Sequence, residues 1–535
     1  MKKIIILLFL TSLRIFSQAP AFDWMQRYGG TGGEYFRSVT PTQDGGFIMG
    51  GWSNSGISGN KTENTIGFNF DYWVVKTNSQ GAIEWQKTIG GGRFWAFGEE
   101  NGDILNVVKQ ASDGGYFLGG YSDSPIIGLK TTPNYGFNDF WVVKLDDLGN
   151  LLWQTDLGGN SEDQLYTLEA TPDGGCITGG PSFSNISGNK TENSKGLYDY
   201  WVVKLDANGQ QQWQKTIGGS SSDILTSILV LDNGEYLLAG YSGSNISGDK
   251  TEDSKGGSTD FWIVKINSIG TILWQKTIGG NDADLLNKAI KTNDGFLFGG
   301  ESYSSISFDK TESNRGITDF WAVKTDSNGV IVWDKTFGGL QEDRIYDIKS
   351  YNNNGYLLAG GSDSSLSGDK TEASFGDRDG WLIRINEEGV QLWQKTIGGS
   401  DFDGINQVIA MPDNSILVGG MSASPISGNN TTSGYGLYDY WLVKFFPETL
   451  GTVGFSETDL YVYPNPTTGL INISFGEQQE KVTATLTTLL GQVVSSETYS
   501  GIQNISYPIS EASGIYFLTL ENENQQKKTI KIVKN

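Results

Sequence analysis

Histidine is absent from the 535-residue chain, and Cys176 is its one cysteine. Without histidine the protein lacks the commonest general base, and Ser-His-Asp and Cys-His mechanisms are excluded. One cysteine excludes an internal disulfide framework and a cysteine-cluster metal site. Cys176 takes an aromatic position of a predicted strand, so we interpret it as a small buried hydrophobe.

Cations and long apolar runs are also scarce. The chain has 38 lysines and arginines against 61 acidic residues, a formal net charge of −23. Nucleic acids and anionic membranes bind proteins through clustered cations that displace counterions. We therefore expect no nucleic-acid partner and a soluble, self-repelling particle. After residue 18 no apolar segment approaches the ~20 residues of a membrane-spanning helix, which predicts no transmembrane anchor.

Residues 1–18 have the pattern of a secretory signal peptide. Lys2 and Lys3 precede an apolar run from Ile4 to Leu10, and a polar stretch follows. A positive start, a short apolar core and small residues at the exit are the features that such peptides share. The segment predicts export from the cytoplasm, with cleavage near Ser17–Ala19; a buried N-terminal strand is the less favoured alternative.

A unit of about 60 residues is repeated along the middle of the chain. The whole chain has 73 glycines, about twice the usual ~7 % share, and 12 % aromatic residues, which favours short strands and tight turns. An Asp-aromatic-Trp-Val-Val-Lys motif or a variant recurs seven times, at Trp73, Trp141, Trp201, Trp262, Trp321, Trp381 and Trp441. A Trp-Gln-Lys-Thr-Ile-Gly-Gly motif or a variant also recurs seven times, at Trp24, Trp85, Trp153, Trp213, Trp274, Trp333 and Trp393.

Each unit predicts four antiparallel strands. In the unit that starts at Trp213, strands are expected up to Ile217 and over Ile224–Leu231, Tyr236–Tyr241 and Phe261–Ile266. The chain begins with the second motif and ends its repeats with the first, so one unit is divided between the two ends. The N-terminal strand can then complete the last unit and remove exposed strand edges. The sequence therefore predicts a closed, seven-bladed β-propeller.

The repeats resemble the SBBP family of seven-bladed β-propeller repeats over residues ~22–446. The resemblance is carried by Trp201–Asp206, Asn208-Gly209, Trp213, Gly218-Gly219 with Asp223, and Gly240–Ser242. It implies the propeller fold and, often, an extracellular setting, and it brings no catalytic residues.

The last ~78 residues differ from the repeats in composition and pattern: apolar and polar residues alternate, and tryptophan is absent. Alternating runs separated by Gly, Asn and Pro predict a small antiparallel β-sandwich. Its motifs resemble the type A C-terminal sorting domain of the type IX secretion system. The matching residues include Tyr463, Pro464, Asn465, Pro466, Gly469, Gly491, Gly514, Tyr516 and Lys528. The resemblance implies handling by that machinery, and a secreted or outer-surface location after export across both membranes of a Gram-negative bacterium.

The predicted organisation has four parts. These are a signal peptide (1–18), the propeller (19–446), a linker (447–457) and the sorting domain (458–535).

A carboxylate follows the Gly-Gly pair in every unit and is a candidate for ligand binding. The seven residues are Glu34, Asp103, Asp163, Asp223, Asp284, Asp343 and Asp403. Together on one face they could hold a cation, with calcium as the metal to consider, or a polyhydroxylated ligand. The favoured alternative is that each caps a backbone turn, since a single site seldom needs seven copies. No cofactor is otherwise expected.

The second unit breaks the symmetry with eight surplus residues in one connection, within Gly92–Gly102. Phe94, Trp95 and Phe97 lie in this insert and suit stacking on sugars; the favoured alternative is that they plug the channel mouth. Trp52, which belongs to neither motif, occupies the position of Tyr121 and Tyr241 and is interpreted as packing.

These features favour a non-catalytic binding or adhesion module at the cell surface, with glycans as the ligand class considered. A structural surface protein without a discrete ligand is an alternative. A polysaccharide hydrolase or lyase is less favoured, because it would need one asymmetric carboxylate pair.

Overall fold

The chain forms two compact units built from β-strands. The computed structural model describes residues 19–67, 69–92, 102–352, 354–448, 460–488, 492–522 and 527–535. One unit is Ala19–Pro447, and the described strands of the other begin at Leu460. Every secondary-structure element in these ranges is a β-strand, which confirms the predicted all-β class. The predicted signal peptide lies outside the described residues.

The first unit contains 28 strands. In chain order they are β1 Phe22–Tyr28, β2 Glu34–Pro41, β3 Phe47–Ser53, β4 Asp71–Thr77, β5 Ile83–Ile89, β6 Asp103–Gln110, β7 Tyr116–Ser122, β8 Asp139–Leu145, β9 Leu151–Leu157, β10 Thr167–Ala170, β11 Cys176–Ser182, β12 Asp199–Leu205, β13 Gln211–Ile217 and β14 Asp223–Val230. They continue with β15 Tyr236–Ser242, β16 Asp260–Ile266, β17 Ile272–Ile278, β18 Asp284–Lys291, β19 Gly295–Ser302, β20 Asp319–Asp326, β21 Ile331–Phe337, β22 Asp343–Ser350, β23 Gly355–Ser362, β24 Asp379–Asn386, β25 Gln391–Ile397, β26 Asp403–Ala410, β27 Ile416–Ser422 and β28 Asp439–Phe445.

These strands form seven four-stranded antiparallel sheets, the blades of a propeller. Blades 1 to 6 are β2–β5, β6–β9, β10–β13, β14–β17, β18–β21 and β22–β25, and blade 7 has the order β26-β27-β28-β1. In blade 7, Arg27 pairs with Trp441 and Tyr28 pairs with Tyr440. The seven-bladed ring and its closure by the N-terminal strand are therefore confirmed.

The propeller core consists of seven apolar clusters, each formed by two adjacent blades. The tryptophan of each Asp-aromatic-Trp motif is at most 2 % exposed. Tyr200, for example, packs its ring 4.9 Å from Trp262 of the next blade. Burying such a ring contributes at most about 4–6 kcal/mol, since it removes 150–250 Å² from water. Sheets too small to stand alone thus stabilise one another around the ring.

One glycine in the second strand of each blade allows a close backbone approach. At Gly240, a Cβ atom would lie 1.9 Å from the Ile224 carbonyl oxygen of the neighbouring strand. That separation is far below van der Waals contact, so only glycine fits without moving the first strand. The first strand borders the central channel, and its position there depends on this contact.

The C-terminal unit is one curled, five-stranded antiparallel sheet. Its strands are β29 Leu460–Tyr463, β30 Leu470–Thr488, β31 Val493–Pro508, β32 Gly514–Asn522 and β33 Lys527–Lys534. The sheet order is β29-β30-β32-β33, and β31 pairs with the long β30. Alternate side chains of β30 and β32, including Ile473, Leu486 and Leu518, share one buried apolar cluster.

Candidate functional site

The seven carboxylates that follow the Gly-Gly pairs are buried caps in the structure. Each is 0 % exposed and accepts a hydrogen bond of 2.6–2.9 Å from the backbone N–H of the second glycine, which lies twelve residues earlier for Asp103 and four residues earlier for the other six. Each also accepts a bond from a serine hydroxyl of the same blade, as Asp163 does from Ser184 at 2.8 Å. This geometry favours the turn-capping alternative, because each carboxylate accepts hydrogen bonds from its own turn and blade and is shielded from solvent.

A second buried carboxylate lies beside each of these caps. It is the aspartate of the Asp-aromatic-Trp motif in the preceding blade, two residues before the tryptophan. We name these seven residues the core aspartates. They are Asp71, Asp139, Asp199, Asp260, Asp319, Asp379 and Asp439. Burial, and then the nearby Asp103, raise the pKa of Asp71 to about 8. Since both members of each pair are at most 1 % exposed, these pairs are closed to a polysaccharide substrate.

The aromatic residues of the insert, Phe94, Trp95 and Phe97, lie outside the described residues, so their predicted role stays a prediction. The insert's C-terminal flank is described. Gly102 forms a parallel β-bridge with Phe70, and the Phe70 carbonyl accepts a 2.8 Å bond from the Asp103 N–H. The insert is therefore attached next to Phe70.

A cluster of half-buried aromatic side chains lies at the seam where blades 7 and 1 meet. We name it the seam cluster; its members are Tyr35, Trp52, Phe70, Phe402 and Tyr438. The Tyr35 ring stacks on Trp52 at 5.5 Å between centroids, and it lies 5.5 Å from both Phe70 and Tyr438. Phe402 meets Tyr438 edge-on at 5.8 Å. The guanidinium of Arg37 lies 4.7 Å from the Trp52 ring centroid, within cation–π range.

The sequence alone did not indicate the seam cluster. Tyr35 and Trp52 belong to blade 1, and Phe402 and Tyr438 belong to blade 7, at least 350 residues away. One signal was present, because Trp52 lay outside both tryptophan motifs. The structure shows that Trp52 does pack, but its ring stays partly exposed.

The seam cluster adjoins a central channel that the first strands of all seven blades line. Its cavity has a volume of about 390 Å³, within the range of small-molecule sites. The lining is polar and includes Arg37, Tyr166, Tyr346, Asn287 and Asn406. One channel position recurs in each blade, three residues after the capping carboxylate, and it is asparagine in three blades, tyrosine in two, arginine in one and threonine in one. The channel is therefore asymmetric although the blades are nearly identical.

Where blades 5 and 6 meet, charged residues occupy the repeat positions that hold aromatic residues in the seam cluster. Arg344 lies 3.0 Å from Glu301 and 2.7 Å from Glu342. Arg378 lies 2.6 Å from Asp363 and 3.3 Å from Glu342. These groups are one-tenth to one-third exposed, so they combine internal ion pairs with access to solvent.

The sorting motif of the C-terminal unit joins its first turn to its last strand. Asn465 donates a 2.7 Å bond to the Lys531 carbonyl and accepts a 2.9 Å bond from the Val533 N–H. The Tyr516 hydroxyl donates to the Ala512 carbonyl at 2.8 Å. Tyr463, Pro464, Pro466, Gly469, Gly514 and Lys528 are also described, whereas Gly491 lies outside the described residues. The conformation of the Pro-Asn-Pro turn thus depends on β33.

The described residues contain neither a metal-binding cluster nor a membrane-spanning helix. In the part of the chain that the structure describes, no group of three or more acidic or cysteine side chains is placed to hold a metal ion. In the same ranges, no helix has the length and apolarity that crossing a membrane requires.

Comparison with known families identifies the C-terminal unit. The Secretion system C-terminal sorting domain family matches residues 461–535. The chain thus carries a sorting domain of the type IX secretion system, which exports proteins to the cell surface or the extracellular space of Gram-negative bacteria.

The chain is similar to several known proteins over part of its length. Regulatory protein FlaEY of Caulobacter vibrioides is 24 % identical over 180 residues, which are 32 % of this chain and 18 % of that protein. A WD repeat-containing protein of Acanthamoeba polyphaga mimivirus is also 24 % identical over 180 residues, 29 % of this chain and 13 % of its own. The chain therefore spans less than a fifth of either relative. The Neurospora crassa Pan2 WD40 domain shares 9 % identity at a TM-score of 0.39, over 78 % of this chain and 90 % of that domain.

Proposed function

We propose that this exported propeller is a non-catalytic binding module that holds a saccharide at the channel mouth beside the seam cluster. The observation that carries the proposal is the group of five touching, half-buried aromatic rings at one place in the ring, whereas the tryptophans of the Asp-aromatic-Trp motif are at most 2 % exposed. A partly exposed ring offers an apolar face, and sugar rings present C–H groups that pack on such faces.

The polar groups around the seam cluster supply the second requirement for sugar binding. Saccharide hydroxyls need donors and acceptors in fixed positions, and small-molecule sites usually hold a few such groups in a concave surface. Arg37, Tyr166, Tyr346 and the channel asparagines supply them here. The closed carboxyl pairs give no support to a hydrolase or lyase. Attachment to surface lipopolysaccharide or release after export belongs to the same proposal and follows from the sorting-domain resemblance.

Direct binding measurements test this proposal. The full mature chain is applied to a glycan array, and dissociation constants of the hits are measured by calorimetry for wild type, Trp52→Ala and Tyr438→Ala. We expect each substitution to weaken binding about tenfold, which is about 1.4 kcal/mol. The binding free energy that one stacked aromatic ring contributes is of that size.

The matched control is Phe308→Gly in a loop of blade 5. Phe308 is 68 % exposed at a φ of +48°, and most other units have glycine there, so the change removes an exposed aromatic without straining the backbone. Its binding should equal that of wild type. Absence of any wild-type ligand across a broad array would contradict the proposal and favour a structural surface role.

A further inference from the structure

Charged side chains meet in the channel on blades 2, 3, 5 and 6. The Lys109 ammonium lies 2.8 Å from Glu169, and the Lys349 ammonium lies 3.7 Å from Asp347. Lys288 lines the same cavity as Lys109 and forms no hydrogen bond or ion pair with any described residue. We name Lys109, Lys288 and Lys349 the channel lysines. Arg37, Lys109 and Lys288 together with Glu169 and Asp347 give the cavity lining a net charge of +1, and Lys349 lines an adjoining pocket with Lys109, in a chain of net charge −23.

Lys288 occupies a position where most blades place a hydrogen-bond acceptor. In five blades the side chain at this position accepts a bond of 2.5–3.3 Å from a backbone N–H of the next blade. Those side chains are Ser38, Thr167, Ser227, Asp347 and Gln407. A lysine ammonium has donors only, so Lys288 cannot make this contact between blades. Its presence there does not follow from the packing of the ring.

The surroundings of Lys288 disfavour an isolated cation. Burial, and then the positive charge of Lys349, lower the pKa of Lys288 to about 8. A poorly solvated cation without a partner is costly unless an anion balances it. The same cavity presents Asn106, Asn287 and Tyr346, whose amide and phenol groups suit sugar hydroxyls.

We propose that the channel lysines bind the acidic group, a carboxylate or a sulfate, of a saccharide that enters the channel. The saccharide part of this proposal rests on the proposed function, whereas the anion part rests on the lysines. The acidic protein surface repels a polyanion lying along it, which favours one acidic unit inside the channel over a chain spread across the face.

Matched disaccharides test the charge requirement. Digalacturonate, a sulfated galactose disaccharide and neutral galactobiose are titrated into the full mature chain, with inorganic sulfate as the free anion. Lys288→Thr installs the acceptor type that Thr167 provides in blade 3, so the ring should stay folded. We expect this variant to bind both acidic disaccharides about tenfold more weakly and galactobiose unchanged. Lys288→Arg should retain most of the affinity.

The control is Lys291→Met on the same strand, where Lys291 pairs with Asp232 at an exposed site; it should bind like wild type. Equal affinity of wild type for acidic and neutral disaccharides, or an unchanged Lys288→Thr variant, would overturn the inference. Lys288-dependent binding of sulfate with no gain for the disaccharides would overturn its saccharide part. If Trp52→Ala leaves all binding intact while Lys288→Thr does not, the anion site stands and the seam proposal fails.

Discussion

Arg27 replaces, in blade 7, a lysine that other blades take from their own long loop. In blade 3 the Lys190 ammonium donates to the Ser182 hydroxyl and, at 2.8 Å, to the Ser184 carbonyl. The seventh unit has Asn430 at the lysine position. There the Arg27 guanidinium donates to the equivalent groups, the hydroxyl of Ser422 and, at 2.6 Å, the carbonyl of Ser424. A cation from the N-terminal strand therefore fills the place of the missing lysine.

Substitutions at Arg27 and Asn430 test whether Arg27 takes the place of the missing lysine. At the Arg27 position five other units have threonine, so Arg27→Thr matches the repeat but leaves Asp439 without its buried cation at 3.4 Å. We expect the free energy of unfolding to fall by about 3 kcal/mol, as for a buried ion pair that loses one partner. Adding Asn430→Lys should recover most of that loss. Urea unfolding measures the free energy of unfolding of both variants. A double variant no more stable than Arg27→Thr would contradict the prediction.

At the scale of elements, β1 decides whether the ring is closed. It pairs with β28 from Phe22 to Tyr28, and its Trp24 belongs to the apolar cluster between blades 7 and 1. Without β1, the edge of β28 would present unpaired backbone donors and acceptors, which are templates for aggregation.

A chain that lacks residues 1–28 should therefore aggregate or melt at a lower temperature than a chain that lacks residues 1–18. A synthetic peptide of Phe22–Tyr28 should restore the melting temperature when added in excess, because it can pair with the open edge. The same peptide with Met25→Pro is the control, since proline removes a ladder donor. Light scattering and thermal melting report the result; rescue by both peptides would contradict strand pairing.

At the scale of the whole molecule, the core aspartates form a sevenfold ring of buried carboxyl groups. Burial is the largest cause of their raised pKa values, which are about 8 for Asp71 and Asp139 and about 6 for the other five. The folded state thus holds protons that the unfolded chain releases above pH ~4. Stability must therefore fall as the pH rises from about 4 through 6–8, since the folded state binds more protons in that window.

We expect the full chain to melt at a higher temperature at pH 5 than at pH 8. The buried Lys61, whose pKa burial lowers to about 8, changes stability above that window and does not mask the trend. Asp71→Asn should reduce the difference between the two melting temperatures, because an amide does not titrate. The exposed Asp377→Asn is the control and should keep the difference. A melting temperature that rises from pH 5 to pH 8 would contradict the prediction.

The repeat by itself determined the architecture. Seven motifs at regular spacing, and the offset between the two tryptophan anchors, required the ring and its closure, because one sheet of this size cannot bury its own faces. The C-terminal motifs likewise determined the sorting domain. These features are periodic or local, so the sequence displays them directly.

Only the tertiary structure decided which side chains share a site. Tyr35 meets Tyr438, and Lys288 lies in the same channel as Lys109, because ring closure brings distant blades together around one axis. The same folding turned Glu34 and its six equivalents inward as buried caps. A strand pattern shows which face of a sheet a residue occupies, but the partners it meets across the ring depend on where every other blade lies.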